Sequence, residues 1–362
     1  MRQLGLDRLV VIPAGIPPHK PMPEGSPSGD MRLSMVQAAF APFENVIVSD
    51  IEIASPDSIS YTVDTIGKIK NEYPGAELYL LVGTDMYLTL DTWYESETIL
   101  KTVTPAVFSR GSDDIKKVVD YSIGIQSQYG VHTETVINNV IEISSSALRE
   151  MLPLRRGAEY ITEENYEYII KNRLYGAKPD WEWLRVQAYM MLKPSRIPHV
   201  EGCEEEAVRL AEHWGVDPDE AREAAILHDI TKKLTPQEHL RILENYSISV
   251  GAMAKGEEKL LHSRTGAAVA AAEFGVSDAV AVAILWHTTG RAGMSKLEKV
   301  IYLADYIEPT RDFCEVDILR AMAYENLDEA MRMGLEMSIH DMKERDILPN
   351  RITIDALNDM RI

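Results

Sequence analysis

Four histidines and two aspartates in the second half of the 362-residue chain are of the types that hold divalent metal ions: His199, His228, Asp229, His262, His287 and Asp305. The adjacent pair His228–Asp229 ends the apolar run AAIL (224–227), so side chains that want water or a cation emerge from a segment that wants burial. Asp305 stands in VIYLADYIE (300–308), an apolar stretch with no obvious cation beside it. Any one of the six could be a core histidine or a helix-end carboxylate satisfied by its neighbours. Six together on the helices of one domain make that reading costly, because each buried imidazole or carboxylate left without a partner costs a few kcal/mol. Imidazole and carboxylate together suit Fe, Mn, Co or Zn, and one aspartate can bridge two such ions.

Elements of two kinds must position these and other groups. Up to about residue 176, short β-rich runs alternate with helical stretches: LVVIP (9–13), MRLSMVQAAF, NVIVSD, SYTVDTIGKIKNEY, ELYLLVG (77–83), PAVFSR, a second helical stretch, VHTETV and SSSALREML. Strand then helix, repeated, predicts a parallel sheet with helices packed on it. ELYLLVG, almost wholly apolar, predicts a strand buried on both faces. After Tyr175, GAKPD is a turn cluster suited to a linker. From Trp181 onward AAILHDITKKL, RTGAAVAAAEFGV and KLEKVIYLADYIE repeat apolar residues at intervals of three and four, which predicts an all-α domain. The expected fold is therefore an α/β domain over 1–176 followed by an all-α domain over 181–362.

Composition narrows the function classes. The formal charge of −20 argues against nucleic-acid binding, and a phosphate-bearing ligand must be met by local cations or metal. The longest apolar runs, such as AVAVAIL (279–285), are too short to span a bilayer. The first residues show no signal-peptide pattern. Two cysteines, Cys203 and Cys314, build no disulfide framework, and the expected setting is cytoplasmic.

The words around the histidines are LHDITK (227–232), LHSRTGA (261–267), HTTGR (287–291) and LEKVIYLADYIEPTR (297–311). With His199 before them, they resemble, over the whole second half, the bacterial YqeK-type HD-domain phosphohydrolases. Those enzymes split symmetrical dinucleoside tetraphosphates such as diadenosine tetraphosphate into two ADP. The resemblance implies that His199, His228, Asp229, His262, His287 and Asp305 are ligands of a di-iron centre, Mn or Co being alternatives, with Asp229 as the bridge and catalytic residue. Lys232, one helical turn past Asp229, and Arg291 are expected to assist the chemistry. Lys232, Arg291 and Arg311 are the expected phosphate contacts. For these three cations an ordinary ion pair is the competing reading. Ser263-Arg264 departs from the family pattern, which often has a small residue after the histidine; it adds a cation and leaves the ligand pattern intact.

The first half carries IPAGIPPHK (12–20), SYTVDT (60–65), LVGTDM (81–86), DTW (91–93), FSR (108–110) and ISSSALRE (143–150). In this order they resemble the bacterial nicotinate mononucleotide adenylyltransferases of NAD biosynthesis, with a Rossmann-like nucleotidyltransferase fold. The resemblance implies that Thr62, Asp85 and Trp93 line the nicotinate nucleotide pocket, with Gly83 and Arg110 among the nucleotide-binding residues and His19 and Lys20 near the phosphate. Ser145, Ser146 and Arg149 would cradle the triphosphate of ATP, delivered with Mg; a helix cap is the competing reading of that word. The family opens with a strand and a Gly-x-Phe-x-Pro-x-His-x-Gly-His loop, and no such motif occurs here. The expectations are that adenylyl transfer is impaired, that strands beside the absent one are left with open edges, and that Met1 is an internal methionine or the domain is degenerate.

The expected function is metal-dependent hydrolysis of diadenosine tetraphosphate by the second half, fused to the adenylyltransferase-like first half. The expected partners are small molecules: diadenosine tetraphosphate, ATP and nicotinate mononucleotide. Neither a nucleic acid nor a membrane is expected, and a homodimer stays open. Two alternatives are adenylyl transfer as the main activity with an accessory HD domain, and a nucleotide sensor without turnover.

Overall fold

The structure, a computed structural model, describes residues 1–17, 23, 25–54, 59–108, 112–137, 141, 143–249 and 260–361. They form two compact units, Met1–Ile169 with Leu174–Gly176, and Ile170–Arg173 with Ala177–Ile362.

The first unit alternates strand and helix. In chain order it runs β1 (Leu9–Val11), α1 (Gly29–Phe40), β2 (Val46–Val48), α2 (Thr62–Glu72), β3 (Leu78–Gly83), α3 (Thr84–Tyr87), α4 (Ser96–Thr102), β4 (Val103–Phe108), α5 (Ser112–Tyr129), β5 (Glu134–Val136), α6 (Ser145–Met151) and α7 (Glu163–Lys171), whose last two residues belong to the second unit. Every ladder is parallel, as short strands joined through helices require. The strands form two sheets, β1-β2 and β3-β4-β5, and no ladder joins them among the described residues.

That division corrects one expectation. β3 is not buried on both faces: Leu78–Leu81 are half-buried and only Val82 is fully covered. The reason is position, because β3 pairs with β4 on one side and has no described partner on the other. β4, between two neighbours, buries Val103, Pro105, Ala106 and Val107. The core gathers Tyr87, Leu90, Ile99, Leu100 and Val107 beside Val82. Gly15 lies so close to the chain at Glu52 and Ser60 that a Cβ would stand 2.6 Å from the Glu52 carbonyl oxygen and 2.4 Å from Ser60 Oγ. The glycine of the IPAG word is thus a close-approach residue.

The second unit contains ten further helices and no strand among its described residues: α8 (Trp181–Met190), α9 (Ile197–Trp214), α10 (Pro218–Leu227), α11 (Pro236–Asn245), α12 (Leu261–Glu273), α13 (Asp278–Trp286), α14 (Lys296–Ile307), α15 (Val316–Glu325), α16 (Leu327–Glu344) and α17 (Arg351–Asp359). Local sequence sets their starts. Asp217 caps α10 and Ser277 caps α13, while Thr235 with Glu238 and Ser295 with Glu298 form capping boxes on α11 and α14. α9 packs on α10 and α14, and α13 packs on α10, α12 and α14. Leu227, Ile284, Val300, Leu303 and Leu335 are fully buried in the core between them.

Leu303 lies two residues before Asp305 on α14. Leu303→Ala should destabilise the second unit by about 2–5 kcal/mol through the cavity it leaves. The check is a lower denaturant midpoint for that unit's unfolding transition. An unchanged midpoint would contradict the packing described.

Candidate metal centre

Helix ends deliver the candidate ligands. α10 and α13 end in apolar turns that leave carbonyl oxygens without intrahelical donors, and His228 and His287 are their respective C-caps. In each, Nδ1 lies against the carbonyl three residues back: Ala225 O at 2.7 Å for His228 and Ile284 O at 2.6 Å for His287. A carbonyl can only accept, so Nδ1 carries the proton and Nε2 is left with a free lone pair. His199, in the first turn of α9, has Nδ1 held by Glu308 Oε1 at 2.9 Å, with the same result.

The three lone pairs meet one another and a fourth imidazole. His199 Nε2 lies 3.3 Å from His228 Nε2, and His262 Nε2, in the first turn of α12, lies 3.2 Å from His287 Nε2. Asp229, fully buried, divides its two oxygens between these pairs. Oδ2 faces His228 at 3.4 Å and His199 at 3.9 Å, and Oδ1 faces His262 at 3.3 Å and His287 at 3.7 Å. Asp305 Oδ1 closes the first group at 3.0 Å from His199 Nε2. Imidazole nitrogens this close need a proton or a metal ion between them. The donor set of imidazoles and carboxylates fits two divalent ions, with Asp229 spanning both positions.

Cations of the protein surround the carboxylates. Lys232 Nζ lies 3.1 Å from Asp229 Oδ1, and Arg311 donates to Asp305 Oδ1 at 2.8 Å and to the Asp305 carbonyl at 3.0 Å. Burial alone would raise the Asp229 carboxyl, but His228, His287 and Lys232 outweigh it and hold it well below the usual range. Burial likewise works against the charged Asp305, and the His199 and His228 imidazoles beside it outweigh it, again holding that carboxyl low.

Sequence reasoning missed several contributors. Arg196, one turn before His199, donates from Nε to Asp229 Oδ2 at 2.6 Å; the only signal was its spacing from the histidine. Glu308, fully buried, orients His199 and is itself held by Thr310, whose N–H and hydroxyl both donate to it at 2.6 Å. Burial pushes the Glu308 carboxyl up, while Thr310 and His199 bring it below its ordinary value. Gly202 makes room for this, since a Cβ there would stand 2.6 Å from Glu308 Oε2. Arg320 fixes the turn that carries Glu308 and Arg311 by donating to the carbonyls of Ile307, Glu308 and Arg311 at 2.9, 3.0 and 2.8 Å.

Arg291, expected to assist the chemistry and to contact phosphate, forks onto buried Glu298, Nε to Oε1 at 2.5 Å and Nη2 to Oε2 at 2.9 Å. Glu298 is buried with the α14 cap and needs a counter-charge, which is the ion pair of the competing reading. Arg264, the family departure, lines a cavity of about 270 Å³ with Leu260, Trp286, Thr289 and Ile352, flanking His262 and His287 in sequence.

In the first unit, Thr62 opens α2 and Trp93 ends a short 3₁₀ turn; the adjacent rings of Tyr61 and Tyr94 meet at 4.6 Å. Gly83 ends β3, and a Cβ there would stand 2.9 Å from Asp85 Oδ1. His19, Lys20 and Arg110 lie outside the described residues. The ISSSALRE word caps a helix: Ser144 accepts from the Ala147 N–H, Ser145 and Ser146 begin α6, and Arg149 stacks over the Tyr175 ring at 5.2 Å. The helix cap of the competing reading is therefore present in this word, beside the expected triphosphate contacts Ser145, Ser146 and Arg149.

Comparison with known proteins bears on both halves. The model of the HD domain matches residues 196–310. The symmetrical bis(5'-nucleosyl)-tetraphosphatase of Staphylococcus aureus is 35% identical over 170 residues, covering 46% of this chain and 87% of its own. A probable nicotinate-nucleotide adenylyltransferase of Geobacter sulfurreducens is 33% identical over 185 residues, covering 47% of this chain and 85% of its own. The chain belongs to both families, one in each half. A crystal structure described as a predicted HD superfamily hydrolase involved in NAD metabolism, from Clostridium acetobutylicum, aligns with a TM-score of 0.49 and 34% identity, over 51% of this chain and 98% of that one. The HD half carries the divalent-metal chemistry of its family. No helix among the described residues is long and apolar enough to cross a membrane.

Glu308→Gln keeps the size of the side chain and removes the charge that orients His199. Metal affinity should fall about 10- to 100-fold, as for other partners of ligating histidines. The check is the metal retained by the full chain after dialysis against graded chelator; retention equal to wild type would contradict the role.

Proposed function

We propose that the HD half hydrolyses symmetrical dinucleoside tetraphosphates, with diadenosine tetraphosphate and water giving two ADP. The observation that carries this reading is the division of the Asp229 oxygens between two imidazole pairs, with cations at the rim. Two ions held there, iron first with manganese or cobalt as alternatives, would polarise a phosphoryl oxygen and lower the pKa of a bound water. His199, His228, Asp229 and Asp305 would hold one, and His262, His287 and the other Asp229 oxygen the second. Arg196, Lys232 and Arg311 would exchange part of their carboxylate contacts for phosphate oxygens. That supplies the local positive charge a polyphosphate needs on a chain of net charge −20. The cavity with Trp286 and Arg264 offers an aromatic face and a guanidinium to a nucleoside.

The deciding assay follows ADP formation from diadenosine tetraphosphate by anaerobically purified protein supplied with Fe²⁺ or Mn²⁺. Asp229→Asn should lower kcat at least about 100-fold, and Lys232→Ala about 10²- to 10³-fold, the range for losing one preorganised charge at the reacting group. Wild-type protein that binds metal and yields no ADP would overturn the reading of substrate, and full activity in both variants would overturn the site.

For the first half the reading is nicotinate mononucleotide adenylyl transfer with ATP and Mg²⁺, much weakened in these 362 residues. The separate β1-β2 and β3-β4-β5 sheets and the engagement of Arg149 with Tyr175 support the weakening. Pyrophosphate release from ATP and nicotinate mononucleotide should stay at background while ADP formation by the HD half proceeds. Robust release would contradict it. With one cysteine buried beside metal ligands and the other exposed, the proposed setting is the reducing cytoplasm.

A further inference from the structure

We propose that Cys203 is a thiolate ligand of the ion held by His199, His228 and Asp305. Its Sγ lies on α9 one turn past His199, buried, and 3.4 Å from His199 Nε2. The ligand atoms of His199, Cys203, His228 and Asp305 all lie within 4.8 Å of one another.

The spacing of that group is of the size that donors around one ion adopt. With metal–nitrogen bonds of about 2.0 Å and a metal–sulfur bond of about 2.3 Å, neighbouring tetrahedral donors stand about 3.3–3.6 Å apart, and a further donor such as Asp229 widens the range. The observed edges are 3.4 Å for Cys203 Sγ to His199 Nε2 and 3.3 Å for His199 Nε2 to His228 Nε2. Asp305 Oδ1 stands 3.0 Å from His199 Nε2 and 3.9 Å from His228 Nε2. The competing contacts of the thiol are long, 3.8 Å to the Ala304 carbonyl and 3.9 Å to His199 Nδ1. The helix that presents His199 therefore presents sulfur beside the same imidazole, within reach of the same ion.

As the ion binds, the sulfur–hydrogen bond gives way to a metal–sulfur bond and the proton passes to solvent. A soft sulfur donor in a set otherwise of nitrogen and oxygen favours Zn²⁺, Co²⁺ and Fe²⁺ over Mn²⁺. This inference rests on the metal-centre reading above and adds a ligand to it.

The test is the absorption spectrum of the metal-stripped full chain titrated anaerobically with Co²⁺ alone. Visible ligand-field bands report binding, and a near-ultraviolet thiolate-to-cobalt charge-transfer band reports sulfur. The chain has two cysteines, so Cys314→Ser, at an exposed position, leaves Cys203 as the one source of thiolate. The charge-transfer band should appear in wild type and in Cys314→Ser and be lost in Cys203→Val, which should also bind Zn²⁺ less tightly relative to Mn²⁺. Because the Cys314→Ser spectrum decides without altering the centre, the test does not depend on the folding of Cys203→Val. Ligand-field bands without the charge-transfer band in Cys314→Ser would overturn the sulfur ligand and leave the metal centre standing. A charge-transfer band that persists in Cys203→Val would also overturn the sulfur ligand. No cobalt bands in any form would overturn both.

Discussion

A fully buried carboxylate, Asp229, is the constraint around which the helical half is organised. An ionised carboxylate removed from water costs several kcal/mol unless charge and hydrogen bonds meet it. Here Arg196 and Lys232 meet it from the protein, and two pairs of imidazole nitrogens face it from opposite sides. The helices that supply those groups start far apart in sequence. Their packing is therefore selected by the need to bring cations to one point as much as by the burial of Leu227, Ile284 and Val300.

Helix termini do the positioning. A last turn has carbonyls with no donor, and a histidine placed just there gives its Nδ1 proton to one of them. His228 and His287 use this device identically, which fixes the tautomer with no dedicated carboxylate. His199 sits at the other kind of terminus, where such carbonyls are lacking, and Glu308 takes their place. The turn after α14 thus has two duties. It carries Glu308 to His199 and Arg311 to Asp305, and Arg320 holds it by three carbonyls. Gly202 is the complement on α9, the missing side chain that lets Glu308 approach.

The α/β half shows the same physics without its convergence point. Parallel pairing and an apolar β4 give a core around Tyr87 and Leu90, yet β3 stays half-buried because only one side of it is paired. A polar word at the start of a helix is spent on the helix itself: Ser144 satisfies a backbone donor and Arg149 covers an aromatic ring.

Much of the second half was legible from sequence because helical period, capping residues and histidines at the ends of apolar runs are local signals. The six side chains that the structure brings together could be named from their residue types and flanking words, and the two-part grammar of the chain from its change of periodicity. Burial on both faces was misjudged for β3, since an apolar run reports what a strand tolerates and not how many neighbours it has. The partner of Arg291 was illegible for a related reason: a cation's partner is decided by which acid the fold buries beside it, here Glu298. Arg196, Glu308 and Cys203 carry no signal that distinguishes them from any other arginine, glutamate or cysteine on a helix. Residue type and local period are properties of the chain, and so the sequence by itself determined the helices, their caps and the candidate donor residues. Which oxygen of Asp229 faces which imidazole, and which cation stands beside it, depends on the mutual packing of helices distant in sequence, and only the tertiary structure decided that.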